Sequence, residues 1–179
     1  METFEAIAQR KSIRSYTGAP VEKADLEKIV AAGNAAPCAG QISIAVITDT
    51  EYLAEIDEAT FAFMQNSGVE FLVKRSSTPG YRPLYGAPAL VVISSDPERG
   101  TANVAAAAAT MILAATDLGL GSCYVGSPTR VLQAGEALAE RLNLPAGFTP
   151  LAGVLLGTTD DPARFSRDRA PADNVTFIG

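Results

Sequence analysis

The chain of 179 residues contains no histidine and no tryptophan, and only two cysteines. Without histidine there is no Ser-His-Asp or Cys-His catalysis, no HExxH zinc site and no imidazole general base. Cys38 and Cys123 lie far apart in sequence. They form neither a disulfide framework nor a metal-binding spacing, and both read first as packed small hydrophobes. Basic residues are in the minority, 14 against 20 acidic ones, for a formal net charge of -6. That balance argues against nucleic acid or an anionic membrane as the main partner. Long hydrophobic runs are missing too. The most apolar stretch, residues 102–115, is alanine-rich and short for a membrane span. The N-terminal stretch carries acids and no long apolar core, unlike a signal peptide. These absences predict a soluble cytoplasmic protein. Any chemistry must rest on carboxylates, lysine, tyrosine, cysteine or a borrowed cofactor.

What is present fits one domain over residues 1–179, with 47% hydrophobic residues to build a core. Thr3 is placed to cap a helix running to about Arg10, with Phe4 and Ile7 on its inner face. Leu26, Ile29 and Val30 give a second helix, over 22–32, its apolar stripe. Leu53, Ile56, Ala59 and Phe63 do the same for a helix over 51–65. Residues 101–118 form a nearly chargeless helix, expected to be buried in a core or an interface. Ser127-Pro128 opens a last helix running to about Leu142. Strands are expected at 42–48, 89–94, 122–125 and 151–156, with a possible edge strand at 175–178. Residues 76–86 carry turn signals throughout, with two tyrosines and an arginine. A binding loop and a surface excursion with aromatic anchors are equally good readings of them. The strands do not alternate regularly with helices, which makes the class α+β.

The cluster Arg10-Lys11-Ser12-Ile13-Arg14 stands out from this acidic background. Arginine forks give bidentate, charge-assisted bonds to a phosphate, and the serine adds a donor. By itself the cluster also suits a solvated helix end, where cations meet the negative end of the dipole.

Three features occur in order: this cluster, then Gly86-Ala87-Pro88 leading into an apolar strand, then the run from Ala114 through Leu118-Gly119-Leu120-Gly121-Ser122-Cys123-Tyr124-Val125-Gly126. Together they resemble the nitroreductase family of FMN-dependent oxidoreductases, over nearly the whole chain. The resemblance implies a central, mainly antiparallel sheet flanked by helices, in a homodimer with FMN at the subunit interface. It implies that NADH or NADPH reduces the FMN, which then reduces a small-molecule substrate such as a nitroaromatic, quinone or activated alkene, by a ping-pong mechanism. A non-catalytic FMN-binding module for flavin storage or sensing is the alternative. Carried over by residue, Arg10, Ser12 and Arg14 would contact the FMN phosphate, ribityl chain or pyrimidine edge, and Lys11 matches a basic position. Gln41 would hydrogen-bond the flavin. Tyr124, Val125 and Gly126 match the segment along the isoalloxazine ring, Val125 standing where classical members carry glutamate. Arg167 and Arg169 resemble a C-terminal basic pair that closes over the phosphate. No residue is assigned as catalytic, because the flavin carries the chemistry.

Overall fold

The computed structural model describes residues 1–38, 41–98, 100–161 and 174–178. The elements run α1 (Thr3–Gln9), α2 (Lys23–Asn34), β1 (Ser43–Ile47), α3 (Thr50–Asn66), α4 (Glu70–Ser76), β2 (Ala89–Ser95), α5 (Thr101–Asp117), β3 (Gly121–Val125), α6 (Ser127–Ala134), α7 (Glu136–Glu140) and β4 (Thr149–Gly157). The four strands form one sheet in the order β1-β2-β4-β3, and every pairing between them is antiparallel. A single parallel bridge, Ser12 to Ser122, is added outside β3. The class is α+β, with an antiparallel sheet between helices, as the sequence predicts.

β2 and β4 are central, so both of their faces are covered and their sequences are almost continuously apolar. Alternation sends their side chains into two cores. Ala89, Val91 and Ile93 meet α2 and α5 on one face, through Ile29, Val104, Ala108 and Met111. Leu90 and Val92 meet α3 and α6 on the other, through Leu53, Ile56 and Leu132. α2 and α5 approach closely at Gly33, where a Cβ would lie 2.1 Å from the Met111 Cε. α3 is capped by Asp49, whose carboxylate accepts the Tyr52 N–H at 2.7 Å.

Several local expectations are corrected. Glu2, not Thr3, takes the N-cap position of α1. Ala6 is the buried residue of α1, while Phe4 is 85% exposed and Ile7 points outward. On α3 the core stripe continues through Thr60 and Met64, one position on from Phe63, which is exposed. Within one chain α5 leaves Ala105 and Ala109 exposed, so the core covers only part of it and the expected burial in an interface stays open. The last long helix breaks at Gly135, whose extended backbone (φ -100°, ψ 96°) ends α6 and starts α7. Gly126, not Ser127, is the N-cap of α6. Residues 174–178 form no strand, and α4 occupies a stretch with no clear periodicity.

Candidate functional site

β3 is an edge strand, and the segment after α1 lies along its outer side. Ile13 donates its N–H to the Ser122 carbonyl at 2.8 Å. The Ile13 side chain is buried, packed where Gly121 has no Cβ; a Cβ there would lie 3.1 Å from it. Backbone groups alternate sides along a strand. The Tyr124 N–H and C=O therefore face the same outer edge as the Ser122 carbonyl. Beyond the Ser12 bridge, no described backbone pairs with that edge.

Pinning Ile13 places the arginines on either side of this open edge. Arg10, the C-cap of α1, lines a recess of about 330 Å³ with Ile7, Ala105, Ala109 and Tyr124. Arg14 lines a second recess of about 130 Å³ with residues 123–128, Tyr124 among them. Tyr124, 49% exposed, is common to both. Neither recess has a carboxylate among its described lining residues. Ser12 is half-buried beside Ser122, and the half-buried Lys11 pairs with Asp161 at 3.2 Å. Val125 turns its side chain toward the core, and Gly126 is exposed where α6 begins.

Six sequence-predicted residues, Arg10, Ser12, Arg14, Tyr124, Val125 and Gly126, thus gather along one strand edge, with Lys11 beside them. Gln41 does not join them. It precedes β1, on the opposite edge of the sheet, and its carbonyl accepts the Ser95 hydroxyl at 2.6 Å. Three strand spacings, about 14 Å, separate β1 from β3. Within one chain Gln41 and Tyr124 therefore lie too far apart to contact the same part of a ligand. Arg167 and Arg169 lie outside the described residues.

Sequence reasoning missed Phe71 and Arg75. Both lie on α4 and line the Arg14 recess together with Tyr81 and Tyr85. A usable signal was Glu70 at the start and Lys74-Arg75 at the end of a short segment, which matches the helix dipole. The loop after α4 is held in place. The Asp57 carboxylate accepts from the Arg82 Nε and, at 2.7 Å, from the buried Leu84 N–H. Arg82 also pairs with Glu58 at 3.0 Å. Tyr85 has a left-handed backbone, φ 54°, which turns its ring back toward α4 and its hydroxyl onto Arg75.

Neither cysteine looks like a nucleophile. The Cys38 thiol donates to the Asn103 carbonyl at 3.5 Å. Burial pushes the Cys123 thiol above its ordinary 9.0, with Arg14 and Arg75 pulling weakly the other way. Burial likewise raises the Tyr16 phenol far above its ordinary 10.0. The folded chain therefore keeps protons that the unfolded chain releases, so stability falls as pH rises past 9 and further past 10. Urea-unfolding midpoints measured from pH 8 to 11 will show this decline. Tyr16→Phe will flatten its upper part, at the loss of one hydrogen bond, from the phenol to the Ile13 carbonyl.

Among the described residues there is no group of three His, Cys, Asp or Glu side chains able to hold a metal ion. No described helix is long and apolar enough to cross a membrane.

A nitroreductase family model matches residues 7–158. A protein of Archaeoglobus fulgidus, named for NADH dehydrogenase or NAD(P)H nitroreductase activity, is 30% identical over 97% of this chain and 96% of its own length. An NADPH-flavin oxidoreductase of Vibrio harveyi is also 30% identical, over 97% of this chain and 72% of its own. Among solved structures, a nitroreductase with bound FMN from Desulfitobacterium hafniense superposes with a TM-score of 0.90 at 25% identity, covering 100% of both chains. One from Bacteroides fragilis, also with bound FMN, gives 0.87 at 27% identity with the same coverage.

Proposed function

The chain belongs to the nitroreductase family, and from that premise we propose that it is an FMN-dependent oxidoreductase passing electrons from NADH or NADPH to a small electrophile. The observation that carries this reading is the placement of Arg10 and Arg14 on either side of the open Tyr124 edge. A flat, anionic ligand needs a free backbone donor and nearby cations. The Tyr124 N–H faces the open edge, and Arg10 and Arg14 line recesses with no carboxylate among their described lining residues, so the residues fit FMN.

When bound, FMN supplies the hydride chemistry and alternates between oxidised and reduced forms. The chain supplies binding and electrostatics. Arg10 and Ser12 would hold the phosphate and ribityl end. Arg14 would face the pyrimidine edge, where a fixed guanidinium favours the extra negative charge of the reduced ring. The Tyr124 N–H would donate along the ring edge, and Gly126 would let a ring approach the backbone closely. Arg167 and Arg169 would close over the phosphate. Gln41, on the far edge, would reach only the flavin of a second subunit. The exposed Phe4, Ile7, Ala105 and Ala109 beside the Arg10 recess supply an apolar surface for such a subunit. The mechanism is ping-pong: oxidised nicotinamide leaves before the acceptor enters.

Purified protein tests the reading directly. It should be yellow, with one FMN released per chain on denaturation. NADH or NADPH should bleach the colour, and a nitroaromatic or quinone should restore it. A colourless protein that takes up no added FMN would overturn the assignment. A yellow protein that neither nicotinamide bleaches would leave only a flavin-binding module.

A further inference from the structure

One tyrosine on the wall of the Arg14 recess has a backbone that tyrosine rarely adopts. Tyr85 is left-handed, φ 54°, and Gly86 after it is left-handed too, φ 75°. With a bulky side chain this conformation is unfavourable, and it persists only where the surroundings enforce it. What enforces it lies outside the recess. The turn starts at Arg82, whose carbonyl accepts the Tyr85 N–H at 3.1 Å, and Pro83 occupies its second position. Asp57, on α3, grips that turn on both sides of the proline. One carboxylate oxygen accepts from the Arg82 Nε, and the other accepts from the Leu84 N–H at 2.7 Å. Arg82 is backed by Glu58 at 3.0 Å and lies 5.4 Å from the centre of the Phe61 ring.

Asp57 is buried, and a buried carboxylate is a poor choice if stability alone is served. Its desolvation offsets most of the gain from the ion pair, and an apolar side chain of similar size would hold a loop as well. What a carboxylate adds is direction. It fixes two donors at set positions, and so fixes the turn between them.

Tyr85, at the end of that turn, carries the effect to the recess. Its hydroxyl accepts from the Arg75 Nη2, the only side-chain hydrogen bond that Arg75 makes among the described residues. The half-buried guanidinium sits among three rings, 5.5 Å from the centre of Tyr81, 5.8 Å from Phe71 and 5.9 Å from Tyr85. Tyr81 is set edge to face on Tyr85, with centroids 5.7 Å apart at 83°. Arg82 and Arg141 pair with carboxylates, but Arg75 forms no salt bridge with any described residue. Its position is therefore set by one hydroxyl and by rings, two of which belong to the loop that Asp57 anchors.

We propose that Asp57 is a positioning residue for the flavin site: through the Arg82–Tyr85 turn it holds the Arg75 guanidinium in place, and that fixed charge favours reduced over oxidised FMN. The proposal rests on the flavoenzyme reading above, because the recess that Arg75 lines with Arg14, Tyr124 and Gly126 is the one given to the flavin. Neither Asp57 nor Arg82 lines that recess, so both act through Tyr85. The physical basis is preorganisation. Arginine has a long, flexible side chain, and ordering it as charge develops would cancel much of the interaction. Held beforehand, the guanidinium meets the extra negative charge of the reduced ring without rearranging. A loosened Arg75 would keep its charge but lose its fixed place. Phosphate recognition by Arg10, in the other recess, would not change.

The test measures the midpoint potential of bound FMN by equilibration with a reference dye, and the FMN dissociation constant by fluorescence titration. Tyr85→Phe keeps the ring and removes the hydroxyl. Asp57→Asn keeps an acceptor for the Leu84 N–H and removes the charge that holds Arg82. Each should weaken reduced FMN about tenfold relative to oxidised FMN, the worth of one hydrogen bond to a charged group. For a two-electron couple that lowers the midpoint potential by about 30 mV. Arg75→Gln should lower it at least as far. Added to Arg75→Gln, neither of the other changes should lower it further, since both act through Arg75. Unaltered potentials in Tyr85→Phe and Asp57→Asn would overturn the proposal, even beside a lower melting temperature, because a purely structural latch gives that result. An unaltered potential in Arg75→Gln, or a shift that persists on that background, would overturn it too. Should Asp57→Asn not fold, Arg82→Gln, at an exposed side chain, takes its place with the same expected shift. A protein that takes up no FMN would instead defeat the flavin reading itself.

Discussion

Arg10→Ala combined with Arg14→Ala will leave a folded protein that no longer retains FMN. Arg14 is exposed and Arg10 half-buried at the end of a seven-residue helix, so neither belongs to the two cores. Far-UV circular dichroism should therefore be nearly unchanged. The ligand loses much more. Each charge-assisted hydrogen bond to a guanidinium is worth about 1.5–3 kcal/mol. Two such losses together weaken binding about 100- to 10,000-fold. Fluorescence titration with FMN measures the constant for each single variant and for the double variant. The singles should also differ in kind. Arg10→Ala should weaken oxidised and reduced FMN alike, because the phosphate does not change charge. Arg14→Ala should weaken the reduced form more and so lower the midpoint potential. Unaltered affinity in the double variant would remove both arginines from the site. Arg169→Ala on the Arg10→Ala background extends the test: coupling between the two would place the C-terminal pair on the same phosphate.

Gly157→Ala will produce the largest loss of stability among single-methyl changes at the sheet edge. Gly157 ends β4 and pairs with Gly121 on β3. A Cβ there would lie 2.6 Å from the Pro88 Cδ and 2.9 Å from the Tyr16 Cδ1. Both neighbours are rings, and neither has a flexible end that can swing away. Pro88 leads into β2, and Tyr16 follows the segment that carries Arg14. Overpacking of this kind costs about 1–3 kcal/mol. In a chain of this size that lowers the melting temperature by roughly 3–10 °C. Gly33→Ala is the natural comparison. Its closest neighbour is the end of the flexible Met111 side chain, and alanine favours the helix that Gly33 occupies. It should cost clearly less. If the two variants melt together, the rigidity of the Pro88–Tyr16 contact is not what matters. The Gly157 variant should also hold FMN less well, since moving Tyr16 shifts the backbone that fixes Ile13 and Arg14 against β3.

Much of this architecture is written locally. The apolar runs of β2 and β4 require burial on both faces, and the structure gives both strands central places. The stripes of α2 and α3 identify helices because a 3.6-residue period leaves one face dry. The charge cluster at Arg10–Arg14 was legible because it contradicts the acidity around it. The same local pattern misplaced Phe4, Ile7 and Phe63. A hydrophobic residue at helical spacing records an apolar side chain, but not which side of the helix a neighbouring element covers.

What the chain alone determined is therefore the kind of element at most positions, the α+β class, and the arginine cluster that borders the candidate site. Three matters were decided only by tertiary structure. Gln41 was set on the sheet edge opposite Tyr124. The arginines on either side of Ile13 were divided between two recesses of one strand. Arg75 was enclosed by Phe71 of its own helix and by two loop rings, Tyr81 and Tyr85, six and ten residues on. The physical reason is common to all three. Propensity and periodicity act between residues a few positions apart, whereas a site is made by strand order and by turns such as the left-handed one at Tyr85. Those bring together side chains whose separation in sequence carries no record of their meeting.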